Sequence, residues 1–182
     1  MKKLSIILIC AMVIAPAVFA NDQWDPKFYE SKENVEVLFH NFAWGTSLQE
    51  FTSKMGNPAH VDAINGLQSL VYDNLIVSGY PVFLIAYFSQ NGLEGGTYYF
   101  NTHSLDELMS CYTQVQRELL DTYGYTNKTL TLFDEISREM RPYETSWNLS
   151  SGYVYLKVNT RQNEPVSLWF SSPALTRQLF GS

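Results

Sequence analysis

Residue types that commonly do chemistry are few and scattered in this sequence. Its histidines are His40, His60 and His103, with no His-x-x-x-His pair and no His-Glu motif that would place two metal ligands on one helical face. There is no Gly-x-Ser-x-Gly elbow, and Ser150 and Ser151 stand in turn-like sequence, where serine is common for local reasons. The sequence therefore predicts a protein that is not an enzyme and that has no metal site and no cofactor.

Two further features have simple structural interpretations. Asp134, Glu135 and Glu139 form an acidic cluster whose spacing matches no calcium loop, so a solvated face explains it better than a cation site. Cys111 lies on the flank of a predicted helix with no basic neighbour to lower its pKa, and we expect a small buried apolar residue.

Aromatic residues are in surplus, and they point to binding. Phe, Trp and Tyr make up 15% of the chain. If Val154 and Leu156 pack under a helix, period-two alternation turns Tyr153 and Tyr155 outward, and the same rule turns Trp169 outward on the next strand. An exposed aromatic patch is a candidate recognition surface. The sequence therefore predicts Tyr153, Tyr155 and Trp169 as residues that bind a protein or peptide partner.

The first half of the chain has matching outward positions, and a different interpretation is favoured there. Because that face is as apolar as a core, we expect it to be covered, either by the other half or by an N-terminal segment containing Trp24, Phe28 and Tyr29. For the three residues of the second half, open and covered faces remain alternatives. The first-half positions are Phe83, Ile85, Tyr87 and Tyr99.

The elements that must position these residues occur twice in the same order. Thr46 or Ser47 caps a short helix that Gly56 ends, and Ser104 caps a longer helix that Gly124 ends. An alternating segment around Val35, Val37 and Phe39 predicts a leading strand, whereas residues 125–142 receive no assignment. The predicted strands that follow the two helices cover 68–77, 82–88 and 97–100, then 144–150, 153–160 and 166–171.

This order predicts an α+β fold of two tandem helix-plus-antiparallel-sheet repeats, each helix packed on one face of its sheet. The predicted boundaries are a signal peptide at 1–20, an N-terminal segment with the first repeat at 21–101, and the second repeat at 102–182.

The first twenty residues have the pattern of a bacterial secretory signal peptide. Lys2 and Lys3 precede an apolar run that Pro16 interrupts, and Ala20 stands at the cleavage position. The run is shorter than the ~20 residues of a membrane span. No second run of that length follows, so we expect an exported protein, periplasmic or secreted, with no integral membrane segment after signal removal.

Charge and cysteine content narrow the classes of partner. The chain has 12 basic and 18 acidic residues, a net charge of −6, and removal of Lys2 and Lys3 makes it −8. A nucleic-acid partner favours the opposite sign, so none is expected. Of the two cysteines only Cys111 follows the signal, which predicts a core without an internal disulfide.

A short motif carries a resemblance to known proteins. Residues 42–47, Phe-Ala-Trp-Gly-Thr-Ser, and 55–58, Met-Gly-Asn-Pro, resemble the opening of small exported bacterial proteins of uncharacterised families. Their helix-plus-strands unit is similar to that of the beta-lactamase inhibitory protein and of the SmpA/OmlA outer-membrane assembly lipoprotein. This chain lacks the lipidation cysteine of the latter and the disulfides of the former. The resemblance therefore implies a binding or assembly module rather than either specific function.

Together these features predict an exported, non-enzymatic binding or interaction protein that contacts a protein or peptide through an open, aromatic-rich sheet face. An envelope assembly factor is one alternative. A hydrolase whose site is not visible in the sequence is another, and it predicts a deep pocket where two or more of His40, His60, His103 and the acidic residues converge.

Overall fold

The computed structural model describes residues 32, 34–64, 66–124, 133–134, 139–140, 143–159 and 164–180. Three helices occur within these residues: α1 at Leu48–Met55, α2 at Leu105–Tyr123 and α3 at Pro173–Phe180. None of these helices is both long enough and apolar enough to cross a membrane. The predicted signal peptide and the aromatic residues at 24, 28 and 29 lie outside the described residues.

Seven strands form one antiparallel sheet in the order β1-β2-β3-β4-β9-β8-β7, and β5 pairs with β6 separately. The α+β class predicted from the sequence is confirmed. The strands are β1 at His60–Ile64, β2 at Leu67–Val77, β3 at Tyr80–Ser89, β4 at Gly92–Phe100, β5 at Phe133–Asp134, β6 at Glu139–Met140, β7 at Tyr143–Leu149, β8 at Gly152–Asn159 and β9 at Glu164–Ser171.

The two halves of the chain share this sheet. The last strand of the first half, β4, pairs with β9 from the second half, with Gly96 opposite Phe170 and Phe100 opposite Val166. The expectation of a separate sheet beneath each helix is therefore wrong. Pairing satisfies the backbone groups that each half would otherwise leave along an open edge. That the two halves are tandem repeats stays a prediction.

The predicted helix ends are found at the expected residues. The Ser47 hydroxyl accepts a hydrogen bond from the backbone N–H of Glu50 at 3.1 Å, and α1 ends at Gly56 with φ of 82°. Ser104 caps α2 in the same way, and Gly124 follows its last turn with φ of 80°. Both helices thus begin at a hydroxyl side chain and end at a glycine in positive φ.

Helices α1 and α2 both pack on one face of the sheet, which we call the inner face. Phe51 of α1 contacts the rings of Phe42, Tyr72 and Phe88. The Tyr112 hydroxyl of α2 lies 2.9 Å from that of Thr145 on β7. Period-two alternation supplies the rest of this core from the strands, including Leu70, Val82, Leu84, Phe100, Val154, Leu156, Val158, Val166 and Leu168.

The predicted leading strand is absent, because its alternating residues are buried without strand pairing. Phe39 pairs only with Phe42, across a tight turn. The backbone N–H of Val37 donates to the Ser151 hydroxyl at 3.0 Å, and that hydroxyl donates to the Val35 carbonyl at 2.7 Å. The Ser151 side chain thus takes the hydrogen-bonding place of a neighbouring strand. The alternation of apolar residues in this segment results from their burial against the inner face.

Candidate functional site

The opposite, outer face of the sheet carries six aromatic side chains, which we call the aromatic face. They come from β3, β4, β8 and β9, and each follows or precedes a buried inner residue on its own strand. The alternation predicted from the sequence is therefore confirmed on all four strands. The aromatic face consists of Phe83, Tyr87, Tyr99, Tyr153, Tyr155 and Trp169.

All three predicted partner-binding residues lie together on this face. The rings of Tyr153 and Tyr155 are stacked, with centroids 6.2 Å apart and planes 17° apart. Trp169 is the cross-strand neighbour of Tyr155, and its ring centroid lies 6.2 Å from that of Tyr87. The cluster therefore extends across the β4–β9 junction into the first half of the chain.

The strands of the second half do not cover the first-half part of the aromatic face. The two halves lie side by side in one sheet, so their outer faces cannot pack against each other. Phe83 is stacked on Tyr99, with centroids 4.8 Å apart and planes 14° apart, and 40% of Phe83 is exposed. The alternative in which the two halves pack these faces together is therefore wrong, because the sheet continues instead of folding back. The other alternative, cover by the segment with Trp24, Phe28 and Tyr29, lies outside the described residues.

Buried polar atoms lie among these rings. Thr97 is only 2% exposed, and it stands between Ile85 and Trp169 in the strand register. Its hydroxyl, the Trp169 indole N–H and the Ser69 hydroxyl have no hydrogen-bond partner among the described residues. An unpaired buried polar group costs about 1–3 kcal/mol.

Tyr155 connects the aromatic face to a charged edge of the sheet. Burial raises the pKa of its hydroxyl, and a hydrogen bond to Glu144 together with the charge of that carboxylate raises it further. Glu144 stands opposite Lys157 in the β7–β8 register. Tyr155 therefore remains a protonated donor at neutral pH, held by the neighbouring strand.

Helix α3 covers one end of the outer face. Its Leu175 is buried over Gly95, where an added Cβ would lie 2.8 Å from Leu175 Cδ2. The Phe180 ring lies 5.7 Å from that of Tyr153. The sequence does contain a signal for this helix, since the Ser172 hydroxyl accepts from the Leu175 N–H and Pro173 occupies the first helical position.

The histidines do not converge. His40 lies on the inner side, where its Nδ1 is 3.0 Å from the Tyr98 hydroxyl, and His60 lies on the exposed strand β1. His103 lines a cavity that Asp73 also lines. Within the described part of the chain, no group of three or more His, Cys, Asp or Glu side chains is arranged to hold a metal.

Cys111 has the environment expected of a small apolar residue. It is fully buried, and burial raises the pKa of its thiol to about 12, with the charges of Glu107 and Glu118 acting in the same direction. The thiolate is therefore scarce at neutral pH, and the residue is not a reactive nucleophile.

Comparison with known proteins identifies no family. No protein-family model and no curated protein matches the chain. A DUF4309 family protein from Bacillus subtilis is similar in structure at 10% identity and a TM-score of 0.45, over 72% of this chain and 81% of that one. Two others also share 10% identity: an extracellular SCP-domain protein from Bacillus anthracis, at a TM-score of 0.43, and a cysteine-rich secretory protein from Staphylococcus aureus, at 0.47.

The last two similarities each cover 81% of this chain but only about half of the other protein, 49% and 50% respectively. With so little identity and such low TM-scores, the three structures assign this chain neither a family nor an activity. The resemblance to the beta-lactamase inhibitory protein and to SmpA/OmlA proteins stays a prediction.

Proposed function

We propose that this chain is an exported, non-enzymatic binding protein whose aromatic face contacts a protein or peptide partner. The observation that carries the proposal is the cluster formed by Tyr153, Tyr155 and Trp169, which continues into Tyr87 on one face of a single sheet.

The chemistry of the cluster suits a protein surface. Tyrosine and tryptophan offer large apolar area, a polar group at the edge of the ring and few rotatable bonds, so they dominate the energetics of many interfaces. The net charge of −6 disfavours a nucleic acid. Export rests on the signal-like pattern of residues 1–20.

Capture from the exported fraction tests this proposal. Chemical crosslinking followed by mass spectrometry should identify a partner of the unmodified protein, and a Tyr155→Ala, Trp169→Ala double variant should lose it. A matched control is Val61→Ala, Ile64→Ala, because both residues are exposed and apolar but lie on β1, outside the aromatic face. Equal capture by the two double variants, each with a cooperative melting transition, would overturn the proposed surface.

An envelope assembly factor is the same proposal with a different partner. The resemblance to the SmpA/OmlA opening supports it, and the two versions differ only in whether the captured protein is an envelope component. The genes that flank this one are an inexpensive first test of that distinction.

A further inference from the structure

A cavity of about 690 Å³ lies at the end of the sheet where β4 leads into α2. The irregular part of β2, the start of β3, the connection at 101–104 and the first turn of α2 enclose it. Its volume is within the roughly 300–1,000 Å³ of small-molecule sites. Its described lining residues include Phe83 of the aromatic face but none from β8 or β9, so it is separate from Tyr153, Tyr155 and Trp169.

The cavity has an apolar floor and an exposed apolar rim. Val82, Phe100 and Leu108 form the floor and are buried in the core. Phe83 and Leu105 line the same cavity but are 40% and 54% exposed. Because Phe83 is stacked on Tyr99, its ring is held as a fixed, flat apolar surface. A ligand that fits here therefore has one flat apolar side.

Six polar residues complete the described lining. The hydroxyl of one, Ser104, caps α2 by accepting a hydrogen bond from the Glu107 N–H. None of the other five side chains makes a hydrogen bond to another described residue, which leaves these groups available to a ligand. The one bond at this point that involves His103 uses its backbone N–H, which donates to Glu107. The five are Asp73, Asn74, Asn101, Thr102 and His103.

The charge of the lining narrows the class of ligand. Among the described residues of the lining, Asp73 is the one carboxylate, and none is a Lys or Arg that could pair with a phosphate or carboxylate ligand. A simple amine would pair with Asp73 but would leave the amide and hydroxyl groups around it without partners. Carboxylate, amide, hydroxyl and imidazole groups together match an array of neutral hydroxyls, which donate and accept.

We propose that this cavity binds a neutral sugar unit, with its apolar side against Phe83 and its hydroxyls toward Asp73, Asn101 and Thr102. The unit is either a free sugar or the end of a glycan chain. The two sources share this recognition chemistry, and they are distinguished by whether a disaccharide binds more tightly than the corresponding monosaccharide.

Titration calorimetry and saturation-transfer NMR on the full exported chain test the proposal, with glucose, galactose, N-acetylglucosamine, lactose and cellobiose as probes. We expect at least one sugar to bind and Asn101→Ala to weaken it about tenfold, the loss of one or two hydrogen bonds. Asn148→Ala is the matched control, an exposed asparagine on β7 outside the cavity, and it should bind as the unmodified protein does.

Thr102→Trp should block the cavity and abolish sugar binding. If that variant does not fold, sugar binding by Asn101→Ala is compared with sugar binding by Asn148→Ala, and equal binding by the two overturns the proposal. The proposal is overturned if none of the probes binds, if Thr102→Trp folds and binds equally well, or if spermidine binds and the sugars do not. The Tyr155→Ala, Trp169→Ala variant should keep sugar binding, so this site and the proposed partner surface fail independently.

Discussion

His40 is a half-buried histidine whose ring is hydrogen-bonded to a core residue. Its Nδ1 lies 3.0 Å from the hydroxyl of Tyr98, and its backbone adopts φ of 51°. Burial lowers the pKa of His40 from 6.5 and raises that of Tyr98. In the tautomer with its proton on Nε2, the neutral imidazole accepts a hydrogen bond from the protonated phenol at Nδ1, and protonation of His40 would remove that acceptor.

This arrangement predicts a pH-dependent stability. The unfolded chain binds a proton at His40 near pH 6.5 and the folded chain only at lower pH, so stability is full above that value and falls as pH decreases. Urea unfolding from about pH 7 to about pH 5 should show a shallower decrease for His40→Asn than for the unmodified protein. Exposed His60→Asn is the control. Equal slopes for all three proteins would contradict the prediction.

Gly96 is required by a close contact with Phe39. A Cβ added at Gly96 would lie 2.1 Å from the Phe39 ring. Gly96→Ala should therefore destabilise the fold by about 1–3 kcal/mol, the usual cost of overpacking. In a double-mutant cycle measured by urea unfolding, Phe39→Leu should recover part of that loss. Additive effects of the two substitutions would show that the contact does not carry the cost.

The direction in which a single side chain points was predictable from the sequence only where the period-two alternation of a strand determines it. The outward positions of Tyr153, Tyr155 and Trp169 follow from period two. Ser171, which the same rule also turns outward, is fully buried, because its hydroxyl meets Thr176 of α3. Periodicity identifies the face of a sheet, but what covers that face depends on contacts between distant elements. For the same reason the cavity, whose lining joins Asp73 to Asn101, was not predictable.

At the scale of elements, Gly56 has the backbone that a helix stop requires. Its φ of 82° and ψ of −168° lie in a region that is essentially restricted to glycine. No heavy atom lies within 4 Å of an added Cβ, so the cost of substitution is backbone strain alone. Gly56→Val should lower the free energy of unfolding by about 1–3 kcal/mol.

Gly124 has nearly the same backbone angles, with φ of 80°, and Gly124→Val should behave similarly. Asn57→Val is a suitable control for Gly56→Val because it changes the next residue, which is exposed and has no positive φ. Thermal melting of the three variants compares them directly. An unchanged midpoint for Gly56→Val would show that the chain can end α1 without a glycine.

Elements with strong local signals were predicted, and those without were missed. The capped helices α1 and α2 and the long strands have hydroxyl starts, glycine ends or clear alternation. Strand β1 has none of these signals, since its five residues are all exposed. It forms because it pairs with β2. The leading strand was predicted wrongly because burial of Val37 and Phe39 produces the same alternation that a paired strand does.

At the scale of the whole molecule, the junction between β4 and β9 holds the sheet together. The boundary predicted between residues 101 and 102 falls just after β4, in an exposed connection. Cutting there breaks no strand, but each fragment alone loses the partner of a central strand. Phe100 would lose its neighbour Val166, and Gly96 would lose Phe170. Two open edges and part of the inner core would become exposed.

We therefore expect fragments 21–101 and 102–182 to be unfolded or aggregated when each is expressed alone, and to copurify as a folded complex when coexpressed. Amide hydrogen exchange should show strong protection of β4 and β9 in the complex and none in either fragment. As a control, substituting Tyr98 and Phe100 by proline in the first fragment should abolish copurification, because the N–H groups of these two residues face β9, in the same alternation as the Ser172 N–H that bonds to Glu94. A fragment that melts cooperatively alone would show instead that the two halves are independent domains, joined at an interface that each can leave open.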